Sequence, residues 1–209
     1  MGKRLTPQCK SCRRAGDKLF LKGERCNSSK CAMVKKNYPP GLHGPKGRPR
    51  ISGYGLRLQE KQKAKLIYGV MEKQFANYFK KAQNQGGNVS ENMLQLLELR
   101  MDNVIYKANF APSLKKARQL VNHGHFMVNG RKNDIPSRQI KINDVISVAK
   151  KSLENKYFKE LIKTLGKTEA TKWITVDKTK LAISVNAMPT ENDLKQAIQM
   201  NLIIEYYSQ

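Results

Sequence analysis

"PSLKKARQLVNHGHFMVNGR", residues 112–131, constrains the fold more than any other stretch of the chain. Pro112-Ser113 reads as a helix start, and Gly124 as its end. At about 100° per residue, Leu114, Ala117, Leu120 and Val121 fall on one side of the wheel. Lys115, Lys116, Arg118, Gln119, Asn122 and His123 fill the other. A helix with one dry face and one basic face must lie on a core. Asn129-Gly130 then signals a type I′ hairpin between short strands. Further on, "IKINDVISV" alternates as a strand does, with Asn143-Asp144 near a turn. A helix delivered onto antiparallel strands implies an α+β domain. A solvated helix face has the same pattern, so this stretch alone leaves its partner open.

Charge narrows that partner. The 209 residues hold 40 Lys and Arg against 16 Asp and Glu, a formal net charge of +24. So large an imbalance repels itself unless a polyanion supplies the missing charge, and the usual polyanion is nucleic acid. A spanning membrane helix is excluded, because no apolar run approaches the roughly 20 residues it needs. The N-terminus has no apolar run followed by a small-residue cleavage site, so a reducing compartment is expected, where disulfides rarely persist.

The thiols therefore need another role. All four lie in the first 31 residues: Cys9 and Cys12 as C-x2-C, Cys26 and Cys31 as C-x4-C. Two close pairs separated by a short loop match a tetrahedral site in which each pair gives two thiolates, and we expect one structural zinc. Four thiolates leave the ion with net negative charge, which Lys10, Arg13, Arg14, Arg25 and Lys30 stand near enough in sequence to offset. Leu19-Phe20-Leu21 could plug the knuckle. Thiols alone do not fix the metal, so an iron–sulfur cluster is the alternative, and four ordinary reduced cysteines the plainer one.

"NYPPGLHGPKGRPR", residues 37–50, holds four of the eight prolines and three glycines, which exclude a regular helix or strand. We expect an extended basic arm that tracks RNA. Residues 1–50 carry fourteen Lys or Arg and two Asp or Glu, half the net charge in a quarter of the length. Helical spacing then runs from Gly55 through Leu58, Leu66, Ile67, Val70, Met71, Phe75, Tyr78 and Phe79, whose aromatics read as core. Ser90 is a plausible cap for a helix through Leu94, Leu97, Met101, Val104 and Ile105. Later, "SLENKYFKELIKTL" is helix-like, "KWITV" and "KLAISV" are strand-like, and Pro189-Thr190 would cap a closing helix. Trp173 reads as core at the sheet edge.

Residues 100–148, "RMDNVIYKANFAPSLKKARQLVNHGHFMVNGRKNDIPSRQIKINDVISV", resemble the small RNA-binding module named after the fourth protein of the small ribosomal subunit. "PPGLHGPKGRPRISGYGLRLQEKQKAKLIYGVMEKQF" and "IIEYYSQ" are similar to the arm, first helices and C-terminus of the ribosomal protein S-four family, and the cysteines to its zinc-bearing bacterial form. The resemblance covers essentially the whole chain. It implies RNA-facing positions at Ser113, Lys115, Lys116, Arg118, Gln119, Asn122, His123 and His125, with Asn129, Gly130 and Arg131 at the hairpin. It also implies an arm, at Lys46, Arg48 and Arg50, near the path by which mRNA enters the subunit. Direct binding of small-subunit ribosomal RNA early in assembly, contact with the S-five protein, a contribution to decoding accuracy and a cytoplasmic location follow from the same likeness.

An enzyme built on the same module would need a catalytic domain, and too few residues remain after residue 150 for one. "LGKT" at 165–168 lacks the first glycine of a phosphate loop, since position 161 is Leu161. A zinc-finger regulator would prefer duplex DNA with a sequence code, whereas this chain should prefer folded RNA. The expected architecture is α+β. It comprises a zinc knuckle and basic arm over 1–50, a helical domain over 51–95 joined by 187–209, and an RNA-binding module of two helices on a small antiparallel sheet over 96–186.

Overall fold

The computed structural model describes residues 6–47, 50–165, 171–190 and 198–208. The chain divides into two compact units, residues 1–93 with 194–209 and residues 94–193, and the boundary falls within one helix.

Helices make up the first unit. Short helices α1 (Gln8–Ala15), α2 (Glu24–Asn27) and α3 (Ala32–Lys35) carry the cysteine segment. Helix α1 ends at Gly16, whose φ of 83° lies in the left-handed region that favours glycine and which returns its N–H to the Cys12 carbonyl. Leu19 is buried with Cys12 and Ala15, and Leu21, Met33, Leu66 and Ile67 pack on them. The expected plug is thus a small core that the cysteine segment shares with α4 (Gly53–Ile67). The Pro-rich stretch is less extended than expected: it tightens into a 3-10 turn at Gly44–Lys46. A Cβ on Gly44 would stand 1.9 Å from the Pro39 carbonyl oxygen, so only glycine permits this fold-back.

The helical run from Gly55 onward divides in two, because Gly69 turns with a φ of 60° before α5 (Glu72–Asn84) begins. Phe75, Tyr78 and Phe79 are buried, as core aromatics should be. Helix α6 (Val89–Glu98) is capped by Asn88, whose side-chain oxygen accepts the Ser90 N–H at 3.0 Å. Ser90, expected as the cap, is buried and donates its hydroxyl to Asn201. Asn and Ser cap about equally well, so burial of Ser90 decides between them.

A clasp holds the last helix, α11 (Met200–Ser208), along α4. Lys61 Nζ lies 4.1 Å from the Tyr206 ring centroid and 2.9 Å from the Glu72 carboxylate. Lys65 pairs with the same carboxylate, and the Tyr207 hydroxyl donates to it at 2.9 Å. Burial by itself would raise the Glu72 carboxyl, but the bonds from Lys65, Lys61 and Tyr207 outweigh it and hold the group at about 2. Two nearly buried ammonium groups are tolerable here because both meet the Glu72 carboxylate, and Lys61 also lies over the Tyr206 and Tyr207 rings.

The second unit is the expected α+β domain. Helices α7 (Met101–Lys107) and α8 (Leu114–Asn122) pack on each other and on a sheet of β1 (Phe126–Val128), β2 (Arg131–Asn133), β3 (Val145–Val148), β4 (Ile174–Asp177) and β5 (Ala182–Val185). The order is β2-β1-β3-β5-β4 and all pairs are antiparallel. Phe126 opposite Val148 and Val128 opposite Ile146 set the register, so strict alternation turns these side chains, with Ile183 and Val185, into one core. Trp173, 2% exposed, leads into the edge strand β4. The segment from 152 to 165, read as one helix, is two: α9 (Lys150–Leu153) and α10 (Lys156–Thr164), with the Asn155 side chain capping the second. The cap expected at Pro189-Thr190 leads into residues 191–197, outside the described residues. No described helix is long and apolar enough to cross a membrane.

Candidate nucleic-acid interface

Helix α8 begins where its sequence says it should. The Ser113 hydroxyl accepts the Lys116 N–H, Gly124 takes a φ of 71°, and Ala117, Leu120 and Val121 are buried. Lys115, Gln119, Asn122 and His123 are exposed along the opposite side. Among the described residues none of these four side chains has an ion-pair partner, so their polar groups are available to a ligand.

Lys116 and Arg118 differ from that set. Both are half-buried. Lys116 Nζ lies 5.3 Å from the Tyr157 ring centroid. Arg118 Nη1 lies 3.8 Å from an oxygen of Asp102, a carboxylate with no exposure. Arg100 grips the same carboxylate twice, Nε at 3.1 Å and Nη2 at 2.8 Å. Burial raises the Asp102 carboxyl, and the Arg100 and Arg118 guanidinium groups with the Asn103 N–H oppose that rise. Arg118 thus reaches inward as well as outward. Sequence reading missed this because Asp102 stands one helix earlier, in α7.

The hairpin shows the same division. Asn129 and Gly130 have φ of 50° and 78°, as a type I′ turn requires. Gly130 and Arg131 are exposed. The Asn129 amide, however, faces its own fold: it donates to Asp144 at 2.7 Å and its oxygen accepts the Val145 N–H at 2.9 Å. This side chain ties the hairpin to the loop before β3. His125 also turns partly inward, its Nδ1 2.9 Å from the Ser152 hydroxyl and its ring edge against Phe158. Burial, then the nearby His123 and Lys116 charges, lower its pKa.

Lys132 was not among the expected positions. It pairs across the hairpin with Met127, and its side-chain carbon lies 2.6 Å from where a Gly124 Cβ would stand. The stem therefore lies over the end of α8. The two-residue turn at Asn129-Gly130 implies that register, and would have placed Lys132 beside the helix end.

In the arm, Lys46 and Arg50 are exposed, and Arg48 lies outside the described residues. Arg13 anchors the arm's start by donating to the Tyr38 and Pro39 carbonyls at 2.9 and 3.1 Å, with its guanidinium over the Tyr38 ring. These carbonyls are neutral, so the fastening leaves the Arg13 charge in place. A groove of about 380 Å³ is lined by Arg13, Arg25, Lys30, Lys35 and Lys36.

Helices α1 to α3 bring the four cysteines to one small cavity of about 10 Å³. Cys12, Cys26 and Cys31 are buried, Cys9 is half-buried, and all four are free thiols. The Lys22 N–H donates to Cys26 Sγ at 3.3 Å. Burial, aided by the other three thiols, raises Cys12 against the pull of the Leu19 N–H. Among the described residues no group of three or more His, Cys, Asp or Glu side chains stands close enough to hold a metal ion. The donor types suit zinc, and the sulfurs converge without closing into a ligand set.

The second unit thus presents a basic helix face on a small antiparallel sheet. Comparison with known proteins supplies the family. The family "Ribosomal protein S4/S9 N-terminal domain" matches residues 3–98, and "S4 domain" matches residues 99–146. A "Small ribosomal subunit protein uS4" of Clostridioides difficile is 50% identical over 200 residues, 96% of each chain. One of Syntrophomonas wolfei is 46% identical over 208 residues, the full length of both. A "Small ribosomal subunit protein uS4A" of Alkaliphilus metalliredigens is 51% identical over 200 residues, again 96% of each. The chain belongs to the ribosomal protein S4 family.

Proposed function

We propose that this chain is a structural, non-enzymatic constituent of the small ribosomal subunit, in the cytoplasm, and binds the subunit's RNA directly. The observation that carries the reading is the exposed polar face of α8. Lys115, Gln119, Asn122 and His123 stand exposed, with no ion pair among the described residues, on a helix whose other face is locked into the core. Charge draws the protein to RNA, and a rigid helix face with a hairpin beside it can then match a folded shape. Ser113, Lys116, Arg118, His125, Gly130 and Arg131 flank that face; Asn129 acts through the hairpin it holds.

Finer roles rest on the family. They are early assembly, an arm at Lys46, Arg48 and Arg50 near incoming mRNA, contact with the S-five protein, and an influence on decoding accuracy. The exposure of Lys46 and Arg50 supports the arm. One structural zinc at Cys9, Cys12, Cys26 and Cys31 is supported by the convergence of four thiols and by N–H donors to two of the sulfurs. The purified chain should then carry about one zinc. Cys9→Ser should abolish it and loosen residues 9–31. Metal analysis with no zinc, or the visible absorbance of an iron–sulfur cluster, would refute the assignment.

Sedimentation tests the main reading. In a lysate resolved on a sucrose gradient the chain should travel with small subunits and stay there in high salt. A purified chain that bound plain duplex DNA or unrelated RNA as tightly as folded small-subunit RNA would be a generic polycation.

A further inference from the structure

We propose that the cleft between α1 and α4 seats a single unstacked nucleotide of the bound RNA, an inference that rests on the RNA-binding reading above. The cleft holds about 460 Å³, within the range of small-ligand sites. Its floor is apolar: Ala15 is buried, and Leu58 and Leu66 are half-buried and turned into it. The Gln59 side chain donates to the Ala15 carbonyl at 2.9 Å, fastening one wall to the other.

Charge at the mouth is unbalanced. Lys63 also lines the cleft, but Asp17 at 2.8 Å and Glu60 at 3.4 Å already meet its charge. Lys10 and Arg14 are exposed and have no ion-pair partner among the described residues. Two exposed cations without a carboxylate partner, above an apolar floor, suit a ligand with an anionic head and a flat apolar body. A nucleotide has both. A duplex keeps the faces of its bases stacked, so the base must come from a loop or bulge, where an unpaired nucleotide can be splayed outward at little cost. In this seat the phosphate meets Lys10 and Arg14, and the base lies on Leu58 and Leu66.

The test uses the full chain with a folded small-subunit RNA fragment, and reads affinity, thermal unfolding and chemical reactivity of each unpaired nucleotide. Two variants are compared with the unaltered protein: Gln62→Trp, which fills the cleft, and Lys10→Ala with Arg14→Ala, which strips the mouth. One unpaired nucleotide should be protected by the unaltered protein and regain reactivity with either variant. Kd should rise about tenfold in each. If Gln62→Trp leaves both protection and Kd unchanged, the cleft holds no base. If that variant fails to fold, the surface double variant decides: weaker binding with no nucleotide regaining reactivity would also overturn the seat. An unaltered chain that does not prefer the fragment over unrelated RNA would instead strike down the RNA-binding reading, and the seat with it.

Discussion

Asp102 is a carboxylate with no exposure, and two guanidinium groups converge on it. Removing one member of a buried pair leaves a desolvated charge, which costs about 3–5 kcal/mol. Asp102→Ala should therefore destabilise the second unit by about that amount. Arg118→Ala should cost about 1 kcal/mol, because Arg100 still holds the carboxylate by two bonds. Lys115→Ala, at an exposed position with no ion pair, should stay within about 0.5 kcal/mol. Denaturant unfolding of the three variants checks that order. RNA affinity should fall for both Lys115→Ala and Arg118→Ala, so only the first separates binding from stability. The polar pattern of α8 was legible in sequence, since a wheel needs nothing but spacing. Which polar residues also face inward was not, because that depends on α7 and on the loop before β3.

At the scale of elements, two helices give opposite lessons. Leu120 is 5% exposed in the packed face of α8, and Leu120→Ala should cost about 2–5 kcal/mol through the cavity it leaves. RNA binding should be lost only when the unit unfolds, which thermal melts and binding measured at low temperature can separate. The clasp on α11 depends instead on ionisation. Glu72 is held at about 2, below the usual carboxylate range, so its contribution is complete above about pH 4.5 and is lost as pH falls toward 2. Its side chain is 48% exposed, and screening reduces the contribution to about 1 kcal/mol. Glu72→Gln should therefore be less stable than the unaltered chain at pH 6, and the gap should close by pH 2. A gap that stays constant across that range would mean the clasp is not ionic. The lysines of this clasp were invisible in sequence: Lys61 and Lys65 look like solvent residues of an ordinary helix until α11 returns from the other end of the chain.

For the whole molecule the governing quantity is the net charge of +24. If exposed cations meet phosphates, binding releases counterions, and affinity for the RNA fragment should fall on the order of 10³-fold or more between about 50 and 200 mM salt. Preference over unrelated RNA should survive, because shape does not screen. A flat salt response would show that the basic residues serve some other partner.

Charge, paired cysteines, the α8 wheel and the Asn129-Gly130 turn are local or additive properties. The sequence by itself determined them, and with them the α+β class and the pull toward a polyanion. Contacts between residues far apart in the chain were decided only by tertiary structure. Asp102 recruits Arg118, Glu72 gathers Lys61, Lys65 and Tyr207, Arg13 fastens the start of the arm, and α1 meets α4 to form a cleft. The physical reason is common to all four. A buried charge or a half-covered apolar face is satisfied by whichever partner the fold brings within a few ångströms, and spacing along the chain does not carry that distance.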